Sequence, residues 1–227
     1  MNEIFSELER VFAGHGPEIA KAMGETGYMV LASIFFAVVV GLPLGIVITL
    51  TRAGGVMENR KVWLVADLYV TIVRSFPFLL FVVFMIPLTR LVFGTSFGTV
   101  AATFPLAFVA VAIYARLTEQ ILLELPSGLL EAAASMGATV PQTVFRFLLV
   151  DGRSGLAYAL TSATISFVSY STVLGVVGGG GVGDFAMRYG YQQYDFTLMY
   201  LTILLIVACV VLLQAVGNRI SRALDKR

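Results

Sequence analysis

Five apolar stretches, each about as long as a bilayer is thick, decide most of what this chain can become. They run roughly from Tyr28 to Leu50, Val62 to Leu88, Thr99 to Leu123, Leu156 to Val177 and Phe196 to Val216. A hydrocarbon core of about 30 Å needs about 20 mostly apolar residues in a helix. Inside lipid every backbone N–H and C=O must pair within its own segment, so each stretch is expected to be helical. Composition agrees: 58% of the 227 residues are hydrophobic and 13% charged, against about 45–50% and about 25% in an ordinary soluble domain. The expected fold is an all-α integral membrane protein of about five transmembrane helices. The second stretch is the least regular. Asp67 and Arg74 interrupt it and Pro77 should bend it, so the alternative there is a short interfacial helix followed by a span.

Segment 1–27 precedes the first stretch and holds Glu3, Glu7, Glu9, Glu18 and Glu25 against Arg10 and Lys21. A secretory signal opens basic and turns apolar, so no cleaved signal is expected. Lys and Arg favour the cytoplasmic side of a membrane. With the amino terminus outside, inner segments hold Arg52, Arg60, Lys61, Arg146, Arg153, Arg219, Arg222, Lys226 and Arg227, and outer segments hold Arg10, Lys21, Arg90 and Arg188. Nine against four sets the expected orientation in the cell's inner membrane. Residues 1–27 are then outside, 28–217 form the membrane domain, loop 124–155 is cytoplasmic, and 218–227 are a basic cytoplasmic tail. The net charge of +1 offers nothing to nucleic acid. Cys209, the lone cysteine, reads as a small apolar residue. His15 has no Cys or His near it in sequence, so no metal site is expected, and no second His exists to act as a base in a catalytic set.

The loop reads LPSGLLEAAASMGATVPQTVFRFLLVDGRSG over 125–155. Pro126 should stop the third helix and Ser127 can cap a new one. Good helix formers follow, and Gly137 stands where a left-handed end cap is expected. Thr139 and Gln142 make a capping box, with Pro141 in the first turn of a second helix. Val140, Val144, Phe147 and Leu148 fall on one face of it. Local physics thus gives helix, tight elbow, helix. A generic amphipathic connector at the interface would look the same.

Glu131-Ala132-Ala133, then three residues, Gly137, nine residues and Phe147-Leu148-Leu149 resembles the loop of ABC importer permeases. The resemblance implies that Glu131, Ala132, Ala133, Gly137 and Ala138 form a coupling helix docked in a groove of an ATPase subunit. Phe147 and Val150 depart from the family's usual isoleucine and proline at the end of the second helix. Arg74-Ser75-Phe76-Pro77-Phe78 and the run from Gly178 to Tyr191 are similar to the methionine-type branch. The resemblance covers roughly Tyr28 to Arg219. It implies a homodimer, two copies of a separate ATPase that carries ATP and Mg, an extracytoplasmic binding protein, and methionine or a related amino acid as cargo.

No Gly-x-x-x-x-Gly-Lys-Ser/Thr is present, and none of Lys21, Lys61 and Lys226 is followed by Ser or Thr. The chain therefore has no phosphate cradle of that kind, no cofactor of its own is expected, and it is not expected to be an enzyme. One set of spans with one coupling loop would meet a two-site ATPase by pairing about a two-fold axis. The run Gly178–Gly183 reads as a flexible turn closing the fourth span, or as a contact for the binding protein.

Charges inside spans are often functional. Asp67 and Arg74 share a helix face and can pair with neighbouring helices; Arg116 and Glu119 can pair with each other. All four read as satisfied structural charges, with the competing idea that Arg74 lines the path and meets a carboxylate. Ser75, Phe76 and Pro77 join Arg74 as candidate path residues, as do Ser166, Ser169 and Tyr170 of the fourth span. The Ser162, Ser166 and Ser169 stripe also suits helix packing. Two rivals remain open on sequence: an ATP-independent secondary transporter or channel, and a membrane scaffold.

Overall fold

A computed structural model of the chain describes residues 2–225, with side chains from Gly14 onward. Lys226, Arg227 and the side chains of Glu3, Glu7, Glu9 and Arg10, all used in the charge reading, lie outside the described residues. Within them, helix is the only regular structure. Helix α1 (Asn2–Phe36) passes through a π turn at Ala37–Gly41 into α2 (Leu42–Thr51). There follow α3 (Arg60–Ser75), α4 (Phe78–Phe93), α5 (Thr99–Leu123), α6 (Ser127–Ser135) and α7 (Val140–Gln142). A π segment, Thr143–Leu148, then leads into α8 (Leu149–Val176). The short α9 (Gly181–Phe185), a π segment at Ala186–Tyr191, and α10 (Phe196–Leu224) complete the chain. Among the described residues, four continuous helical runs, Gly14–Thr51, Thr99–Leu123, Val140–Val176 and Phe196–Leu224, are long and apolar enough to cross a membrane, or five with the broken pair α3 and α4 counted as one.

The expected bend at Pro77 is a full break. Phe76 and Pro77 are both extended, with ψ of 133° and 128°, because a proline disfavours helical backbone in the residue before it and cannot donate an amide. The fourth span begins earlier than its apolar run suggests. Helix runs without interruption from Val140 to Val176, straight through Asp151-Gly152-Arg153-Ser154-Gly155. Gly152 and Gly155 do not end the helix; they admit Ile121 and Leu122 of α5. A Cβ on Gly155 would stand 2.9 Å from Ile121 Cγ2. Val150, unlike a proline, keeps its amide, and the helix runs on through it.

The fold divides into two compact units. One gathers the stretch ending at Ser33 with Pro77–Leu106 and Ile165–Leu212. Its core joins Met29, Val82, Ala102, Leu106 and Leu174, with a second cluster of Ala22, Val182, Phe185 and Leu198. Here the glycine run closes the fourth span, as expected, and also forms a seat for α1. Gly178, Gly180 and Gly181 take φ of +87°, +76° and +81°, backbone that only glycine adopts cheaply. The Gly181 amide donates to Glu25 Oε2 at 2.7 Å and the Val182 amide to Thr26 Oγ1 at 2.9 Å. A Cβ on Gly180 would fall 2.6 Å from the same Glu25 oxygen. Asp184 and Arg188 form an ion pair on the turn that follows.

The other unit holds Ile34–Phe76, Ala107–Thr164 and the stretch from Leu213. Helix α2 lies tightly on α5 because Gly41 and Gly45, four apart, present bare backbone. A Cβ on Gly41 would stand 2.9 Å from Val111 O, and one on Gly45 2.5 Å from Ala115 O. Small residues at this spacing are how membrane helices approach closely. Gly45→Val should therefore force α2 from α5 and destabilise the chain by about 1–3 kcal/mol. A thermal melt of the purified protein reads this directly; an unmoved transition would refute the close-packing role.

Candidate functional site

The elbow is built from local chemistry. Helix α6 starts at Ser127, with Pro126 as the flanking residue and no side-chain cap, so Ser127 is the first helical residue and not the expected cap. At the other end, Met136 leaves the helix and Gly137 turns left-handed at φ +65°. The Gly137 amide donates to Ala134 O and the Ala138 amide to Ala133 O, each at 3.0 Å. These two bonds are the Schellman arrangement that closes a helix on a glycine. Thr139 is extended and its amide donates to Gln142 Oε1 at 2.8 Å, the glutamine half of the expected capping box.

Burial sorts the elbow into an anchored side and a presented side. Ala133 is buried, and Leu129 and Val140 pack on Leu50, Leu122, Val144 and Leu148. Glu131, Ala132 and Gly137 are exposed, Ala138 is half-buried, and Met136 and Phe145 are 66% and 70% exposed. Apart from its two chain neighbours, nothing among the described residues lies within 4 Å of where a Gly137 Cβ would be. The apolar side chains thus hold the elbow on the ends of α2, α5 and α8, and its small-residue surface is left open.

The candidate path residues fall in separate places. Arg74, Ser75 and Phe76 end α3 in one unit, all exposed, with Ser75 Oγ donating back to Thr71 O at 2.7 Å. Pro77 opens the segment of the other unit that continues into α4. There Phe78 stacks on Tyr170 with ring centroids 4.4 Å apart. Ser166 is half-buried, and Ser169 is exposed and donates to Ile165 O at 3.2 Å. The structure therefore brings Tyr170 to the helix that begins just after Pro77.

Sequence reading named both halves of a polar network without joining them. Arg116 Nη1 meets Glu119 Oε2 at 2.6 Å, while Nη2 meets Asp67 Oδ1 at 2.7 Å and Thr71 Oγ1 at 3.0 Å. One guanidinium thus ties α3 to α5, with the three charged side chains 10–24% exposed. The signal in the sequence was a charge on each of two apolar stretches, Asp67 on one and Arg116 on the other. Missed altogether were the contacts of Arg153, Ser154 and Ser221, whose types suggested only a basic loop and tail.

Comparison with known proteins fits this geometry. Residues 41–227 match the family model described as binding-protein-dependent transport system inner membrane component. The chain belongs to this family. It is an all-helical, multi-pass permease of the inner membrane. It is 39% identical over 98% of its length, and 99% of the other protein's, to the Vibrio cholerae serotype O1 protein named "Probable D-methionine transport system permease protein MetI". It is 43% identical to the D-methionine transport system permease protein MetI of Yersinia pestis, over 69% of this chain and 72% of that one. A solved structure of the inward-facing MetNI methionine ABC transporter contains a chain that superposes with a TM-score of 0.88 at 42% identity, covering 91% of this permease and 96% of that chain.

Proposed function

We propose that this permease is the membrane-spanning subunit of an ATP-binding-cassette importer for methionine, in its D and L forms. It works as a homodimer with two copies of a separate ATPase, which carries ATP and Mg, and it receives cargo from an extracytoplasmic binding protein. The amino terminus is outside and the carboxyl terminus cytoplasmic, so loop 124–155 faces the ATPase. The single observation that carries this reading is the elbow: a Schellman-closed turn anchored through Ala133 and offering Glu131, Ala132, Gly137 and Ala138 to a close-fitting partner. The resemblance of the whole chain to methionine permeases supports the cargo. When ATP binding closes the ATPase pair, the elbow hands that motion to the spans and the path between the two copies opens to one side, then the other. Arg74, Ser75, Phe76 and Pro77 at the broken helix, with Ser166, Ser169 and Tyr170, line that path.

Radiolabelled methionine uptake into cells carrying the complete transporter tests the reading. Unlabelled D- and L-methionine are expected to compete, other amino acids to compete weakly, and omission of the ATPase to abolish uptake. Uptake that persists without the ATPase, or indifference to both methionine isomers, would overturn it.

A further inference from the structure

The last helix is bolted to the helix that leaves the elbow. Near the start of α8, Arg153 Nε donates to Leu224 O at 2.8 Å, satisfying a carbonyl at the end of α10. Ser154 Oγ donates to Ser221 O at 3.0 Å, and Ser221 Oγ donates in return to Ser154 O at 2.9 Å. Farther along the two helices, Gly217 allows the same closeness: a Cβ there would sit 2.2 Å from Thr161 Oγ1. Gly217 and Ser221 are four apart on α10, and Ser154 and Thr161 seven apart on α8, so each pair lies on one helix face. The joint opens on a cleft of about 610 Å3 whose walls include Glu124, Asp151 and Asp225. On that side three hydrogen bonds tie the two helices together.

We propose that Arg153, Ser154 and Ser221 are positioning residues for coupling. They oblige the end of α10 to travel with α8, so that motion received at the elbow reaches the last span as well as the fourth. The physical reason is continuity. Helix runs unbroken from Val140, beside the elbow, past residues 153 and 154, and an intact hydrogen-bonded helix transmits displacement along its axis. A guanidinium on helix-end carbonyls also complements the negative end of the α10 dipole. Reciprocal serine bonds, each from a hydroxyl to the opposite carbonyl, resist sliding of one helix past the other. The inference rests on the elbow receiving the ATPase's motion.

Two experiments on the complete transporter test it. In a Cys209→Ser background, Ser154→Cys and Ser221→Cys should cross-link on mild oxidation equally well with and without ATP. Methionine transported per ATP hydrolysed should be no lower after cross-linking than before it, because the disulfide restores the tie that the two serine bonds supply. Failure to cross-link, nucleotide-dependent cross-linking, or loss of uptake restored by reductant would each show that the helices move apart and overturn the proposal. In the second, Arg153→Ala should keep assembly and ATP hydrolysis while methionine moved per ATP falls about threefold to tenfold, the scale of one lost hydrogen bond. Arg153→Lys, which keeps a donor for Leu224 O, should recover most of it. An unchanged ratio, or hydrolysis and uptake falling together, would reduce Arg153 to a packing residue. Cross-links to the ATPase from a Met136→Cys variant, an exposed position of the elbow, made in parallel preparations, report on the elbow separately, so either idea can fail alone.

Discussion

Arg116→Ala will remove most of the folded, membrane-extracted permease. The guanidinium is the one cation of its network and holds Asp67 and Glu119 together. Without it two carboxylates remain facing each other, largely out of water and in an apolar stretch of the chain. Deleting one member of a buried ion pair costs about 3–5 kcal/mol because the survivor is left uncompensated, which rivals the whole stability of many proteins. The loss should show as a collapse in the yield of monodisperse protein and a much lower melting transition. Asp67→Asn with Glu119→Gln in the same chain should recover a large part of the loss, since the lone arginine was needed chiefly to balance them. A full yield of Arg116→Ala, or no rescue, would mean that the network is ornamental to folding.

Gly137→Val will separate hydrolysis from uptake while leaving the chain folded. Its φ of +65° is backbone that β-branched residues strongly resist, at a cost of about 1–2 kcal/mol or more. The cost falls on a surface turn and not on the core, since nothing beyond the two chain neighbours lies within 4 Å of the new Cβ. The elbow would reopen and the Ala138 amide would leave Ala133 O. Uptake per ATP should drop roughly tenfold, the equilibrium equivalent of about 1.4 kcal/mol, with the melting transition nearly unmoved. Gly137→Asn should be milder, because Asn tolerates left-handed backbone better. Normal coupling in the valine variant would remove the elbow from the transmission route.

What could be read from the sequence depended on how far apart the interacting residues stand. The elbow was legible because glycine at 137, the Thr139–Gln142 box and Pro126 act within one helical turn. The break at Pro77 was legible for the same reason. The early start of the fourth span was not legible, because an apolar run marks only the lipid-length part of a helix, and the Ile121 side chain that Gly152 and Gly155 admit is some thirty positions away. The seat within Gly178–Gly183 was not legible either, since its partners Glu25 and Thr26 are 156 positions upstream. Arg116 lay between: its bond to Glu119 is one turn long, but its bond to Asp67 crosses 49 residues. The path residues gained only a local picture, with Tyr170 against Phe78 and the serines on one helix.

That separation of 156 residues has a bearing on how the polypeptide is made. The seat for Glu25 and Thr26 does not exist until Gly181 and Val182 have been synthesised, late in translation. The first helix must therefore wait in the bilayer with its acidic end unmatched while the intervening segments are threaded in. Chains that stop short of Gly181 lack both of the seat's hydrogen bonds. Closure of the glycine seat is thus a late step in the making of the fold, since its two halves stand 156 residues apart.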